Sequence, residues 1–216
     1  MHRYRVFLVI IVLSLITNGC DGSGSSSDST GAAVVDSSFS IDLSKVSGYN
    51  SSDPIEDQYL AVINYLRSQH LKCNDHLGIE GPSTPLTWNA DLAAAALEHS
   101  QDMNISGHYG HTGSGTPSDI TGTHVGHASS FSERINYNGY SGNTTGENIA
   151  NSASKPNPVP SDYWVTVMEG WMKSTSGHCS NIMHPNFEDF GMAEVRADVN
   201  ATGWYLTYWT QNFGGP

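Results

Sequence analysis

Helical periodicity comes first in this chain and alternation comes last, and that order limits the folds open to it more than any other feature. Ile55, Tyr59, Val62, Ile63, Leu66 and His70 recur at helical spacing just after Pro54, the pattern of one buried stripe. Asp53 stands where a cap is expected. A second helix is marked more sharply. Asn89 is a capping residue type, and Ala90-Asp91-Leu92-Ala93-Ala94-Ala95-Ala96-Leu97 consists almost wholly of strong helix formers. Leu92, Ala96, His99 and Met103 share one of its faces, and the four consecutive alanines predict close packing on a neighbour. A short helix is expected around Ser129–Tyr137, with Phe131, Arg134 and Ile135 docking one side. After a loop over Asn151–Pro160, a further helix capped by Ser161 should run to about Lys173 and bury Trp164, Val167, Met168 and Trp171. Alternation appears only then. Met192 to Val199 places Ala193, Val195, Ala197 and Val199 on one face, Asn200–Gly203 can turn the chain, and Trp204 to Phe213 forms a long aromatic strand. With no strand–helix–strand rhythm, the expected class is α+β, an antiparallel sheet covered by helices. A third strand is expected after Gly139 or near Gly146.

The start of the chain reads as an export signal. His2, Arg3 and Arg5 precede an apolar run from Val6 to Ile16 that only Ser14 breaks. The run is shorter than the ~20 residues a spanning helix needs. Gly19-Cys20 then resembles a lipoprotein processing site, so residues 1–20 are expected to be a signal ending at a lipidated Cys20. Residues 21–54 form a tether, and its stretch Asp21–Gly31 is small and polar. Residues 55–216 form the domain, expected to be a monomer. Localisation follows: exported, as an envelope lipoprotein, or secreted if Cys20 carries no lipid. Cys73 and Cys179 remain as an even pair. In an oxidising compartment a Cys73–Cys179 disulfide is the simplest reading, and two buried free thiols are the alternative. Nine Lys and Arg against 21 Asp and Glu give a formal charge of −12, which repels nucleic acid and argues against it as a partner.

The candidate chemistry centres on Glu147. In Gly146-Glu147-Asn148-Ile149-Ala150 it is flanked by small and apolar residues, and an enclosed carboxylate needs partners. Ten histidines are available. His108 with His111, and His124 with His127, are spaced three apart in Gly-rich stretches, which suits solvated loops better than chelating helices. His99 reads as a packed core histidine. His178 sits at a tight turn beside Cys179. A fixed His, a loop His and an enclosed Glu could make a three-ligand metal site or an acid–base pair. No Gly-x-Ser-x-Gly or His-Glu-x-x-His motif accompanies them.

Several motifs together resemble one family: Asn64-x-x-Arg67, Leu86-x-Trp88, Ala96-x-x-His99-Ser100-x-Asp102-Met103, His111-Thr112-Gly113, Gly146-Glu147-Asn148-Ile149-Ala150, Trp171-x-x-Ser174, Gly177-His178-Cys179-x-Asn181-Ile182-Met183 and Tyr208-Trp209-Thr210-Gln211. Their order over residues 55–214 is similar to the bacterial branch of the CAP superfamily, the SCP domain. The resemblance implies a three-layer α-β-α sandwich with a central antiparallel sheet. It also implies a cavity lined by two His and two Glu that holds a divalent metal, often zinc. His111 and Glu147 match a His and a Glu of that cavity, and His178 matches the His of a bacterial Ser-x-x-x-His motif. Tyr208 stands where the family's second His is found, and the second Glu is missing near Ser174. Three functions follow as expectations. The first is a domain that binds a small apolar ligand, lipid or sterol-like, or a protein, with Trp204, Tyr205, Tyr208 and Trp209 as candidate lining. The second is a metal-dependent hydrolase or peptidase with Glu147 as general base and His111 and His178 as ligands. The third is a structural envelope protein with a non-catalytic cavity. A binding domain rather than an enzyme is expected.

Overall fold

A four-stranded sheet lies between two helical layers in the computed structural model, which describes residues 31–216. The signal segment, Cys20 and residues 21–30 lie outside the described residues. In chain order the strands are β1 (Ala33–Val34), β2 (Leu71–Lys72), β3 (Thr87–Trp88), β4 (Thr144–Ser154), β5 (Asp189–Arg196) and β6 (Tyr205–Gly215). The helices are α1 (Ile55–Ser68), α2 (Ala90–Ser106), α3 (Ile120–Val125), α4 (Phe131–Tyr137), α5 (Tyr163–Met172) and α6 (His178–Met183). The main sheet has the order β3-β5-β6-β4, so β4 is an edge strand. β4, β6 and β5 run antiparallel, and β3 pairs parallel to β5. β4 is the expected third strand near Gly146, and it continues to Ser154, which shortens the following loop.

Both faces of the sheet are covered. Phe190, Met192, Trp209 and Phe213 point to the larger core, where they meet Tyr59, Val62 and Leu66 of α1, Trp164 and Met168 of α5, and Ile182 of α6. On the opposite face Ile149 and Tyr208 pack with Met103 of α2, Thr210 Oγ1 bonds Ser100 Oγ at 2.8 Å, and Asn212 Nδ2 donates to Leu92 O at 3.2 Å. Here the alanine run has its purpose. At Gly191 a Cβ would collide with the backbone of Leu92 and Ala93, so small residues on both partners let α2 press onto β5. Leu92 and Ala95 also pack on Ile135 of α4. The α-β-α sandwich is therefore as expected.

Four local expectations are corrected. Asn89 does cap α2, its Oδ1 accepting from Asp91 N and Leu92 N, but α1 starts after Pro54 with no side-chain cap. Asp53 instead accepts from Asn50 Nδ2. α5 starts after Asp162, likewise with no side-chain cap, so Ser161 does not serve it. In β5 the core face is Phe190 and Met192, not the Ala193 and Val195 face. The strand ends at Arg196, and Val199 is half exposed. A strand buried on both sides carries no alternation to read. Finally, residues 32–54 do not behave as a tether. β1 pairs with β2, Ile41 N donates to Glu169 Oε1 at 2.8 Å, and Val35, Ile41 and Val46 join the core. Three apolar side chains at irregular spacing have no period, but they are enough to dock the segment. Cys73 and Cys179 form a disulfide with Cα atoms 5.6 Å apart.

Candidate functional site

Glu147 lies on β4 and faces the α2 layer, with its side chain 1% exposed. Its partners come from three elements. Arg134 of α4, also 1% exposed, places Nη2 at 2.9 Å from Glu147 Oε2. The same nitrogen donates to His111 O at 2.8 Å, and Nη1 donates to Ser129 O and Oγ. α4 is started by a capping box in which Ser130 and Glu133 satisfy each other's backbone N–H groups, so Arg134 projects from a firmly started turn. His111 Nδ1 donates to Glu147 Oε1 at 2.9 Å. In the neutral ring this leaves Nε2 as an acceptor on a half-exposed side chain. His99 Nε2 donates to Gly110 O at 2.8 Å and lies 3.9 Å from Glu147 Oε1. The carbonyl can only accept, so His99 Nδ1 is the bare nitrogen, and it is buried without a partner.

Two buried aspartates order the long Gly- and Ser-rich loop that carries His111. Asp102 accepts from Ser114 N and Oγ and from Ser118 Oγ. Asp119 accepts from Gly115 N, Gly122 N, and Ser129 N and Oγ. The paired histidines do not form chelating pairs. His124 sits on α3 with its ring 4.9 Å from that of Tyr137, and His127 bonds Glu133.

His178 opens α6, on the other side of β4. The disulfide at Cys179 fixes this turn, and Asp75 clamps it by accepting from Ser180 N and Oγ. Asn148 Nδ2 donates to His178 O at 3.1 Å, and His178 Nδ1 lies 2.9 Å from Ser174 Oγ. A cleft of about 510 Å³ runs between these two flanks at the outer edge of β4, lined by Tyr109, Asn151, Tyr163, Trp171, Ser174 and His178 among others. Of the four predicted cavity residues, only His111 and Glu147 bond each other. His178 lines the cleft. Tyr208 joins the apolar cluster of Met103 and Ile149. Among the aromatics proposed as lining, Trp209 is fully buried and bonds Glu194, while Trp204 lies under Lys155.

Burial alone would raise the Glu147 carboxyl. The His111 hydrogen bond, the Arg134 charge and nearby His99 outweigh it, so Glu147 lies below the usual carboxylate range. Burial lowers His99, with Glu147 opposing. Burial also lowers His178, and the His111 charge adds to this. A pH dependence follows. The unfolded histidines take up protons near 6.5 while the folded ones resist. Between the lowered folded values and 6.5 the unfolded chain therefore binds more protons, and stability falls as pH drops through that window. Glu147 adds a loss of the same sign below its ordinary 4.5. Urea midpoints should decline from pH 7.5 to pH 5, and His99→Asn should flatten that decline. A midpoint that rises on acidification would contradict this.

The metal implied by the family resemblance does not fit these donors. Among the described residues no group of three or more His, Cys, Asp or Glu side chains is placed to hold an ion. Both Glu147 oxygens are engaged, and a dication there would face the Arg134 guanidinium. Glu147 is buried with both oxygens bonded to His111 and Arg134. The residues missed from sequence were Arg134, read only as docking its helix, and His99, read as core. Each is indeed buried, but each is also aimed at Glu147.

The family profile described as "cysteine-rich secretory protein family" (CAP) matches residues 60–213. The chain belongs to that family, and its sheet between two helical layers is the CAP, or SCP, domain. Among solved structures it is similar to an extracellular protein containing an SCP domain from Bacillus anthracis, with 22% identity, 74% of this chain and 39% of that chain covered, and a TM-score of 0.49. It is also similar to an outer surface protein of Borrelia burgdorferi, with 16% identity, 62% and 79% covered, and a TM-score of 0.43. The chain thus spans well under half of the Bacillus protein. No curated protein matches it. Among the described residues no helix is long and apolar enough to cross a membrane.

Proposed function

We propose that this chain is an exported CAP domain that binds a ligand in the cleft at the outer edge of β4. The Glu147–Arg134 pair acts as a support, anchoring through the His111 carbonyl the loop from which Tyr109 reaches that cleft. The observation that carries this reading is the cleft itself, about 510 Å³ with aromatic and hydroxyl-bearing walls, one of them clamped by the disulfide. Pockets of this size with a few convergent polar groups are the usual small-ligand sites. Export is supported by the basic start, the apolar run and Gly19-Cys20, and by a disulfide that needs an oxidising compartment. Lipid on Cys20 would tether a monomer to the envelope. A sterol-like ligand suits the cleft poorly, because it would strip water from Asn151, Ser174, Ser176 and His178 without replacing their hydrogen bonds. A peptide or another polar ligand suits it better.

Gly170 lines the cleft, and a Cβ there meets nothing within 4 Å, so Gly170→Tyr fills the cleft without straining α5. In a thermal-shift screen with cholesterol, N-acetylglucosamine oligomers and random peptides, a binder should raise the Tm of the wild type and leave Gly170→Tyr unmoved. Equal shifts in both would place binding elsewhere and contradict the proposal. One observation favours a second reading, a hydrolase: His111 is oriented by Glu147, and Ser174 bonds His178 in the cleft. Its base would be His111. Ester or peptide hydrolysis lost in His111→Ala, with folding intact, would establish it.

A further inference from the structure

We infer that the cleft takes an extended peptide, which adds as a strand to the outer edge of β4 at Asn151–Ala153 and sets a carboxylate near Lys173. The inference rests on the cleft being a ligand site and assigns the class of ligand.

Backbone direction is the first ground. β4 has β6 on one side only. The carbonyls of Glu147 and Ile149 point away from β6, because Glu147 O accepts from Asn181 Nδ2, and Ile149 O accepts from Trp171 Nε1 and Tyr109 Oη. The register with β6 runs unbroken from Thr144 to Ser154, so the same alternation turns the N–H and C=O of Asn151 and Ala153 outward. Among the described residues no hydrogen bond reaches these groups, and both residues are exposed. The edge is thus closed by side chains at Glu147 and Ile149 and left open where it borders the cleft. An open edge is a template for a further strand, and main-chain bonds to such an edge are a recurring way to hold peptides.

The second ground is the cleft wall. Side chains alternate across a strand, so a peptide paired at Asn151 turns every second side chain toward Tyr163, Trp171, Ser174 and His178. The third is charge. The protein carries a formal −12, yet the cleft lining contains Lys173, which Glu169 meets only at 3.8 Å from outside the lining, and no carboxylate. Glu147 stands behind the strand and is neutralised by Arg134. A chain so acidic that keeps carboxylates out of one cleft favours a ligand that brings its own.

Selection of a random nonapeptide display library on the full-length chain tests this, with binders resynthesised and measured by calorimetry. Selected peptides should carry an Asp, Glu or free C-terminus at a fixed position. Ala153→Pro removes one outward N–H and leaves the bonds to β6 intact, a substitution edge strands tolerate. It should keep its Tm within a few degrees and weaken binding at least tenfold, as should Gly170→Tyr. Methylating successive peptide nitrogens should weaken binding at every second position only. Selected peptides that bind Ala153→Pro as well as wild type, or that show no alternate pattern, would overturn the strand assignment. If no peptide is selected while N-acetylglucosamine oligomers bind and Gly170→Tyr blocks them, the peptide assignment falls and the cleft remains a ligand site. If neither probe binds, both fall.

Discussion

Arg134→Met is expected to destabilise the domain by about 3–5 kcal/mol, the usual cost of removing one partner from a buried ion pair. The cost comes from what is left behind. Glu147 would remain 1% exposed with one oxygen stripped of its 2.9 Å guanidinium partner, and a buried unpaired carboxylate must either lose its ionised form or open the fold to water. Ser129 and the His111 carbonyl lose donors at the same time, so the His111 loop should loosen with α4. For a domain of this size the shift in Tm should be about 10 °C or more. The double variant Arg134→Met with Glu147→Gln removes both charges together, and it should recover much of the loss. Urea unfolding of the wild type, both single variants and the double variant gives the coupling energy directly. If Arg134→Met unfolds within 1 kcal/mol of the wild type, the pair is not the support described here.

Replacing both Cys73 and Cys179 by serine should cost about 3–5 kcal/mol on chain-entropy grounds, since the bond spans a sequence separation of 106. The effect should be uneven. α6 is only six residues long and is held at its start by this bond and by Asp75, so the turn bearing His178 should become the first site of proteolysis. Wild type in strong reductant should unfold at the same urea concentration as the double variant in either condition. A reductant-insensitive midpoint for the wild type would contradict the role assigned to the bond.

The legible parts of the fold are those with a local signal. α2 could be read from Asn89 and its alanines because capping and propensity act within a few residues. β6 could be read from its aromatic run. The inner face of β5 could not, because α2 covers one side and the large core the other. The packed lead-in escaped for a related reason, since Val35, Ile41 and Val46 join the core singly and at irregular spacing. At the site, Glu147 stood out as a carboxylate in apolar company, and His111 lies within hydrogen-bond reach of it. Arg134 lies 13 residues from Glu147 along the chain, and no periodicity reports a pair formed between a helix and the strand that follows it. Asp102 and Asp119 look like ordinary polar positions in sequence, yet they fold the His111 loop around buried carboxylates. Tyr208 shows the limit of matching by position: it occupies the place of a family histidine but faces an apolar cluster.

Arg134 and His111 satisfy both oxygens of Glu147 within the protein and leave none free for a metal. Calorimetric titration of zinc into the chelator-treated full-length chain, beside Glu147→Gln, tests it most directly. The expected result is the same zinc uptake by both proteins, with any weak binding due to exposed histidines such as His127. One zinc bound per chain in the wild type and lost in Glu147→Gln would contradict it.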